Sequence, residues 1–332
     1  MYRILQKNII DITSIIIIGL ALMLLSFSFR FQLPVNLSPS LLNLNTIFLS
    51  ILIESLPFVL IGVLIAGTIQ VFVTEEHIER WIPKNRFLAI IMSCLIGALF
   101  PACECGIVPI VRRLVGKGVP IHAAIGFMLT GPLINPIVIA STYMAFGNDY
   151  KIAGLRMGLG FVIAMIVAYL VSLIFKGTQL KSSISTGHMH SHSKKEGFSK
   201  RFWDMLTHSI DEFFDMGKYL IIGALLAAFV QTYVPAKALL EAGSGTLSSL
   251  FVMMGLAYVL SLCSEADAFI GASFSSIFPT SAILGFLIFG PMMDFKNTIM
   301  MLSVFRVKFV FGVLVLIISA VFMTIILLQG FM

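Results

Sequence analysis

Two cysteines separated by one glutamate follow a short apolar run, in the segment Phe100-Pro-Ala-Cys-Glu-Cys-Gly106. In an extended segment, residues i and i+2 point to the same side, so Cys103 and Cys105 could present two thiols to one cavity while Glu104 points away. Thiolates are preferred ligands of soft metal and metalloid ions. The pattern predicts a site for a thiophilic ion. The alternative is that both cysteines are small buried apolar side chains.

Isolated acidic residues lie in otherwise uncharged apolar stretches. Glu104 is the only charged residue between positions 86 and 112, and Glu265 and Asp267 are the only ones between positions 241 and 294. A charge at membrane depth costs roughly 2.5 to 3.5 kcal/mol on insertion scales and usually faces an aqueous pathway. We expect Glu104 and Glu265 to lie close together and to relay protons or bind a cation. A structural carboxyl bonded to nearby amides is the alternative.

Gly-Pro pairs interrupt a later helix in each half of the chain, at Gly131-Pro132 and Gly290-Pro291. Each pair is followed by a polar residue, Asn135 or Asp294, and these two are 159 residues apart. Broken helices free backbone groups that can bind ions, so both segments are candidates for the ion pathway. A plain proline kink is the alternative.

Two further sets of residues are secondary candidates. Glu54 and Asp215 are matched acids at an offset of 161. A triplet in a polar linker could collect a borderline cation such as zinc, although it lacks a full tetrahedral ligand set. The triplet is His188, His190 and His192.

The composition of the whole chain is that of a polytopic integral membrane protein. Of its 332 residues, 58% are apolar and 11% are charged, and the mean hydropathy is +1.02, far from the values of soluble domains. The net charge of +6 arises in short loops between apolar runs, so it indicates membrane topology and no nucleic-acid partner. No disulfide framework, nucleotide-binding loop or cofactor fingerprint is present. We expect no cofactor, and an ion gradient or a partner as the energy source.

Nine apolar runs predict the helices. The first, at 9–29, is about 20 residues long and lacks a clean cleavage site, which predicts an uncleaved membrane helix with a cytoplasmic N-terminus. The predicted units are an N-terminal helix and outer loop at 1–45, a first membrane repeat at 46–175, a His-rich cytoplasmic linker at 176–207 and a second membrane repeat at 208–332.

The two halves repeat the same residues at nearly constant separations. Gly126 and Gly285 each precede a phenylalanine, and each is followed five residues later by the Gly-Pro pair, an offset of 159. The segments at Cys103 and Cys263 match at an offset of 160. This regularity indicates an internal duplication.

The charges of the loops favour an inverted arrangement of the two copies. If every run crossed the membrane, the basic residues at 112–117 and the basic linker would lie outside, against the positive-inside rule. Re-entrant hairpins before Cys103 and Cys263 place these charges in the cytoplasm and leave Lys237 outside. We therefore predict an all-α polytopic membrane protein with two inverted repeats, broken or re-entrant helices and about 7 to 9 spans. Nine full spans are the alternative.

The motifs together resemble the family of predicted bacterial permeases that includes the ArsP-type organoarsenical efflux proteins. The resemblance rests on Pro101-Ala-Cys-Glu-Cys-Gly106, on the segment from Gly126 to Pro136, and on Cys263-Ser-Glu-Ala-Asp-Ala-Phe269 with the second Gly-Pro pair. It covers most of the chain from Thr46 onward. It implies efflux through the inner membrane, and its motifs are specific to the family more than to any substrate.

We therefore expect a permease of the bacterial inner membrane and not an enzyme. Its expected partners are the lipid bilayer and a small thiophilic metal or metalloid species, exported by secondary-active transport. One alternative is a membrane subunit that works with a partner protein or as a homo-oligomer. Another is a membrane enzyme with Cys103 or Cys105 as nucleophile, for which His122 is the only base nearby in the sequence.

Overall fold

The part of the chain that the structure describes is predominantly helical. This computed structural model describes residues 39–73, 78, 82–83, 85–100, 103–181, 198–233 and 245–328. Within these ranges no β-strand forms, and a single isolated bridge joins Leu180 to Phe305. Several predictions fall outside the described residues, namely the helix at 9–29, Pro101, the triplet His188, His190 and His192, and Lys237.

The described residues contain twelve α-helices, three of which, beginning at Glu104, Ser264 and Phe295, lie outside the predicted apolar runs. The first half contains α1 (Pro39–Phe72), α2 (Arg86–Leu99), α3 (Glu104–Gly116), α4 (Ile121–Thr130), α5 (Pro136–Ala145) and α6 (Tyr150–Ile174). The second half contains α7 (Phe198–Tyr233), α8 (Thr246–Leu260), α9 (Ser264–Ser273), α10 (Thr280–Met292), α11 (Phe295–Val304) and α12 (Val307–Leu328).

Four of these helices, α1, α6, α7 and α12, are long and apolar enough to cross a membrane. The shortest of them, α12, has 22 residues, which extend about 33 Å and exceed the roughly 30 Å of a hydrocarbon core. Apolar side chains on these helices remain exposed, among them Ile53 and Leu327. The chain is therefore an all-α, multi-pass membrane protein.

Helices α2 and α4 run in the same direction. A methyl group at Gly126 of α4 would lie 3.0 Å from the sulfur of Cys94 in α2. One turn further along both helices, Gly97 of α2 lies against the hydroxyl of Thr130. The two pairs advance together along the chain, so α2 and α4 are parallel.

Helix α3 runs in the opposite direction along α4. Ile107, near the start of α3, lies against Gly131 at the end of α4. Leu114, near the end of α3, lines the same apolar cavity as Ala123 at the start of α4. Helices α2 and α3 are therefore antiparallel to each other and form a helical hairpin.

The second half has the same packing. Met254 of α8 lies against Gly285 of α10, and Ala257 of α8 lies against Gly290, so these helices are parallel. Met254 stands 160 residues after Cys94, and the two residues face glycines that are 159 residues apart. The packing contacts thus recur at the separations that the predicted duplication requires.

Helix α9 returns antiparallel to α10. Asp267, in the first turn of α9, lies against Gly290 near the end of α10. Gly271, one turn later in α9, lies against Leu287, which is earlier in α10. Helices α8 and α9 form the hairpin equivalent to α2 and α3.

Helices α4 and α5 together pack along α6 as one interrupted helix. The contacting pairs are, in order, Gly126 with Ala168, Leu133 with Gly160, and Thr142 with Arg156. The partner positions in α6 fall as those in α4 and α5 rise, so the interrupted helix is antiparallel to α6. Its interruption contains the predicted Gly131-Pro132 pair, and Pro136 occupies the first turn of α5, where its missing N–H costs nothing.

The equivalent long helices α1 and α7 pack antiparallel to each other. The hydroxyl of Ser209 in α7 donates to the carbonyl oxygen of Val63 in α1 at 3.2 Å. Thr68, later in α1, donates to the sulfur of Met205, earlier in α7, at 3.4 Å. The two halves therefore present corresponding helices to each other in opposite directions.

Basic loops hold neighbouring helix ends together. The ammonium of Lys117, after α3, donates to the carbonyl oxygens of Gln70 and Val73 at the end of α1, at 2.7 and 2.8 Å. Separately, a backbone hydrogen bond that does not involve the lysine charge joins the N–H of Lys181, after α6, to the carbonyl of Val304 at the end of α11, at 3.1 Å. Cations near helix C-termini compensate the partial negative charge of the free carbonyls.

Candidate functional site

Four of the predicted site residues each stand directly before a short helix, at a point where the helical structure is interrupted. Cys103 precedes α3, Asn135 precedes α5, Cys263 precedes α9, and Asp294 precedes α11. Three of the four side chains accept a hydrogen bond from the backbone of the helix they begin, Cys103 being the exception. Such caps satisfy N–H groups that a helix leaves without partners, so the cap is one physical reason for polar residues at these positions.

The breaks of the two halves pack against each other in a crossed manner. Helix α3 of the first half packs against α11 of the second half, and α9 of the second half packs against α5 of the first. Each contact therefore joins a cysteine break from one half to a Gly-Pro break from the other. We name them the α3–α11 site and the α5–α9 site.

The α3–α11 site is centred on the ammonium group of Lys296. This group lies 3.3 Å from Oε1 of Glu104, 3.5 Å from Oδ2 of Asp294 and 3.2 Å from the carbonyl oxygen of Ser261, to which it donates. The three charged side chains are each no more than 3% exposed. Charges this deeply buried are stable only when paired. Lys296 therefore compensates two carboxylates, one from each half of the chain.

The thiols of Cys103 and Cys105 lie in the same site. They are close enough to interact with each other, and both are close enough to Lys296 to interact with its charge. The sequence predicts an extended Cys-Glu-Cys segment, whereas the helix begins at Glu104, because Cys103 occupies the N-cap position and only this residue is extended. The two sulfurs approach each other across the helix start.

The α5–α9 site is centred on Arg156 of α6, which is also buried. Its Nη1 donates to the hydroxyl of Thr142 in α5 at 2.6 Å, and its Nη2 donates to the carbonyl oxygen of Ser264 in α9 at 3.0 Å. The guanidinium group is close enough to Glu265 and Asp267 to interact with their charges. Arg156 therefore has the position in this site that Lys296 has in the other.

Asp267 lies between the two sites. Its carboxylate is 1% exposed and interacts electrostatically with Arg156 on one side and with Glu104, Asp294 and Lys296 on the other. A methyl group at Gly290 would lie 2.8 Å from its Oδ2. The glycine of the second Gly-Pro pair thus leaves room for this side chain.

The remaining predicted residues have different surroundings. Glu265 is half-buried, and the thiol of Cys263 is close enough to the Glu54 carboxylate to interact with it. Glu54 therefore reaches the α5–α9 site. Asp215, its match in sequence, is 54% exposed and pairs with Lys218 at 2.8 Å on the surface of α7.

Helix α3 is held at both of its ends. Near its start, Gly106 packs so closely on Gly62 of α1 that a methyl group at Gly62 would collide with the Gly106 backbone. Near its end, Arg112 and Arg113 both bind the buried carboxylate of Glu212 in α7, with 2.7 Å between Arg112 Nη1 and Glu212 Oε1. These contacts fix the position of the thiol pair relative to α1 and α7.

The sequence reasoning missed Lys296 and Arg156, although each carries a signal. Arg156 is the only charged residue between Lys151 and Lys176, the same isolation that marks Glu104. Lys296 follows Asp294 by two residues, after a Gly-Pro pair in an apolar segment. A test for isolated charges of either sign would have found both.

The α3–α11 site offers two adjacent thiols beside a buried ion pair. Among the described residues, no group of three or more His, Cys, Asp and Glu side chains is placed to hold a metal ion.

Comparison with known proteins identifies the family. The ArsP_1 family model, described as a predicted permease, matches residues 40–330. The chain is 52% identical over 291 residues to the UPF0718 protein YcgR of Bacillus subtilis (strain 168), covering 88% of this chain and 98% of the relative. It is 43% identical over 275 residues to a protein of Streptococcus mutans serotype c named a putative two-component membrane permease complex subunit, covering 83% of this chain and 91% of the relative.

More distant relatives cover less of the chain. The UPF0718 protein YraQ of Escherichia coli (strain K12) is 24% identical over 111 residues, 33% of this chain and 32% of the relative. No solved structure matches the chain. The family match covers both cysteine breaks and both Gly-Pro breaks, the segments on which the resemblance rests. The chain belongs to this family of predicted permeases.

Proposed function

We propose that the chain is a secondary-active permease that exports a thiophilic metal or metalloid species across the bacterial inner membrane. The observation that carries this proposal is the placement of Cys103 and Cys105 together at the start of α3, where this helix of the first half packs against α11 of the second half. Sulfur ligands select soft ions over hard ones. A pair of thiols can exchange ligands with such an ion, so the break provides a binding site of the required chemistry.

The neighbouring charges support a role in transport. Lys296, Glu104 and Asp294 form a buried ion cluster directly beside the thiols. Buried ionisable groups are costly in a membrane and are concentrated along substrate pathways. A species that binds between the thiols would change the electrostatic field that acts on this ion cluster. Because the cluster joins α3 to α11, binding is linked to a rearrangement of α3 against α11.

The architecture fits alternating access by two inverted repeats. The antiparallel contact of α1 with α7 and the matched glycine contacts of the two hairpins support such repeats. In transporters of this plan, the substrate site lies where broken helices of the two repeats meet. The α3–α11 site has this location, and rocking of one repeat against the other would expose it to each side in turn.

A second candidate function is that of one subunit in a two-protein permease. The relative from Streptococcus mutans is named as a subunit of a two-component membrane permease complex. In that case the binding site would still be formed by this chain, while the partner would supply energy or a second part of the pathway. Transport by the purified chain alone distinguishes the two candidates.

A resistance survey tests the substrate class. A strain lacking the protein should be more sensitive to one or more members of a panel of arsenite, methylarsonous acid, cadmium, zinc and cuprous ions. The wild-type chain should restore resistance, and the double variant Cys103→Ser, Cys105→Ser should not, at equal abundance in the membrane. The control is Cys94→Ser, because Cys94 is buried in α2 away from the break. Full complementation by the double variant would remove the role of the thiols.

A further inference from the structure

Asp267 is a buried acid that lacks hydrogen-bond donors. Among the described residues, none donates a hydrogen bond to either of its carboxylate oxygens. In contrast, Glu104 and Asp294 each have an oxygen within 3.5 Å of the Lys296 ammonium. A buried carboxylate with two unpaired oxygens is costly and requires a physical explanation.

The two neighbouring cations have other partners. The Nη1 and Nη2 atoms of Arg156 donate to Thr142 and Ser264. The Lys296 ammonium is shared among Glu104, Asp294 and the Ser261 carbonyl. Neither cation forms a direct ion pair with Asp267 in the described residues, although both act on it at longer range.

The buried charges of the two sites do not balance. Arg156 and Lys296 are positive, whereas Glu104, Asp267 and Asp294 are carboxylates, and all five are no more than 3% exposed. With every acid ionised, one negative charge is left without compensation. The absence of hydrogen-bond donors identifies Asp267 as the residue that carries it.

We propose that Asp267 binds and releases the proton that couples transport to the proton gradient. This inference rests on the proposed secondary-active function and adds the coupling ion and its site. When the proton binds, one O–H bond forms on the Asp267 carboxylate and the five buried groups become electrically neutral. When it leaves, the same bond breaks and the carboxylate is held between the fields of Arg156 and Lys296. No other bond forms or breaks in this step.

The groups that face Asp267 come from several helices. They are Arg156 from α6, Glu104 from α3, Lys296 from α11 and Asp294, which precedes α11. Glu265 and Cys263, at the start of its own helix, lie close enough to Arg156 to interact with its charge. The helices packed against α9, namely α5 and α10, contain no acidic or basic residue. Binding of a proton at Asp267 therefore changes the electrostatic potential in both sites. A residue confined to one site would not have this effect.

The position of Asp267 suggests how the proton and the cargo communicate. The Lys296 ammonium interacts with Asp267 and also with the thiols of Cys103 and Cys105. A movement of Lys296 on cargo binding would alter the potential at Asp267, and proton binding there would alter the position of Lys296. Linkage requires this effect to be reciprocal.

Infrared titration of the purified, reconstituted protein tests the proposal directly. With protons as the only ligand, the pH is raised from about 6, where carboxyl groups with ordinary pKa values near 4 are already ionised. The carbonyl stretch of a protonated carboxyl group should be present at the start of this range and should disappear as the pH rises. In wild-type protein labelled with carbon-13 on aspartate, this band should shift, whereas labelling of glutamate should leave it unchanged. The labelling arm uses only wild-type protein, so it does not depend on any variant folding.

Variants assign the band to one residue. Asp267→Asn should lack the band, and Asp215→Asn should retain it, because Asp215 is an exposed acid on α7. A band that persists unchanged in Asp267→Asn, that shifts only with labelled glutamate, or that is missing from the wild-type protein would overturn the proposal. Because the titration contains no cargo, its failure would leave the thiol site and the proposed export untouched.

Discussion

The ammonium group of Lys296, in the second half of the chain, lies 3.3 Å from the carboxylate of Glu104, in the first half. Both side chains are buried. The helix that begins with Glu104 also carries Cys105 and follows Cys103, so this ion pair fixes the thiols against the opposite half of the molecule. The contact joins the two breaks into one site.

Loss of Lys296 should destabilise the protein strongly. Lys296→Met leaves the carboxylates of Glu104 and Asp294 buried without their cation, and removal of one partner of a buried ion pair costs about 3 to 5 kcal/mol. We expect a clearly lower midpoint of thermal unfolding in detergent. The matched control is Lys218→Met, because the pair of Lys218 with Asp215 lies at the surface of α7, where such pairs contribute about 0 to 1 kcal/mol.

A second substitution tests whether loss of the ion pair causes the destabilisation expected for Lys296→Met. In the double variant Lys296→Met, Glu104→Gln, one of the two stranded carboxylates becomes a neutral amide. The double variant should therefore unfold at a higher temperature than Lys296→Met alone. If the effects of the two single substitutions simply add, Lys296 and Glu104 do not stabilise each other.

Substitution of Glu212 should destabilise the protein more than substitution of Asp215, which lies one turn further along α7. Glu212→Gln removes the charge that binds Arg112 and Arg113 and holds the end of α3 on α7. We expect a loss of about 1 to 3 kcal/mol in the free energy of unfolding, since hydrogen bonds to charged groups are worth about this much. Asp215→Asn, on the same helix but exposed, should change the stability little. Equal effects of the two substitutions would contradict the clamp at the end of α3.

Two Gly→Ala substitutions should have effects of opposite sign. Gly62→Ala places a methyl group against the backbone of Gly106 and should push α3 away from α1, at a cost of about 1 to 3 kcal/mol. Gly158→Ala in α6 meets no atom within 4 Å and should stabilise the helix by about 0.5 to 1 kcal/mol. Thermal unfolding measures both changes. A neutral or stabilising Gly62→Ala would show that α1 and α3 do not pack closely at this point.

Much of the fold can be predicted from the sequence because helix breakers and apolar runs act locally. The Cys103 break and the Gly131-Pro132 break are interruptions that proline and glycine impose on their own segment. A duplication is predicted because Gly126 and Gly285 keep the same separation from the Gly-Pro pairs. The structure adds that these two glycines face equivalent helices.

The pairing of charges across the halves could not be predicted in the same way. Which cation meets Glu104 depends on α3 packing against α11, a contact between segments nearly 200 residues apart in sequence. Periodicity within one segment carries no information on such a contact. The N-cap position of Cys103 explains why its thiol reaches that of Cys105 although the segment is not extended throughout.

The orientation of the chain in the membrane stays a prediction with a direct test. Single cysteines introduced at Lys117 and in the linker near His190 should react with a membrane-impermeant thiol reagent from the cytoplasmic side. A cysteine at Lys237 should react from the outside. The unsubstituted protein, whose cysteines Cys94 and Cys105 are buried, provides the background. Labelling of the linker from the outside would contradict two inverted repeats.

Transport into proteoliposomes tests the central claim most directly. The wild-type protein, purified without any partner and reconstituted, should accumulate the thiophilic species identified by the resistance survey when an opposing proton gradient is imposed, and Cys94→Ser should do the same. The double variant Cys103→Ser, Cys105→Ser should lose at least about tenfold in rate, as expected when soft sulfur ligands are replaced by hydroxyls. Transport by the double variant at the wild-type rate would contradict the account.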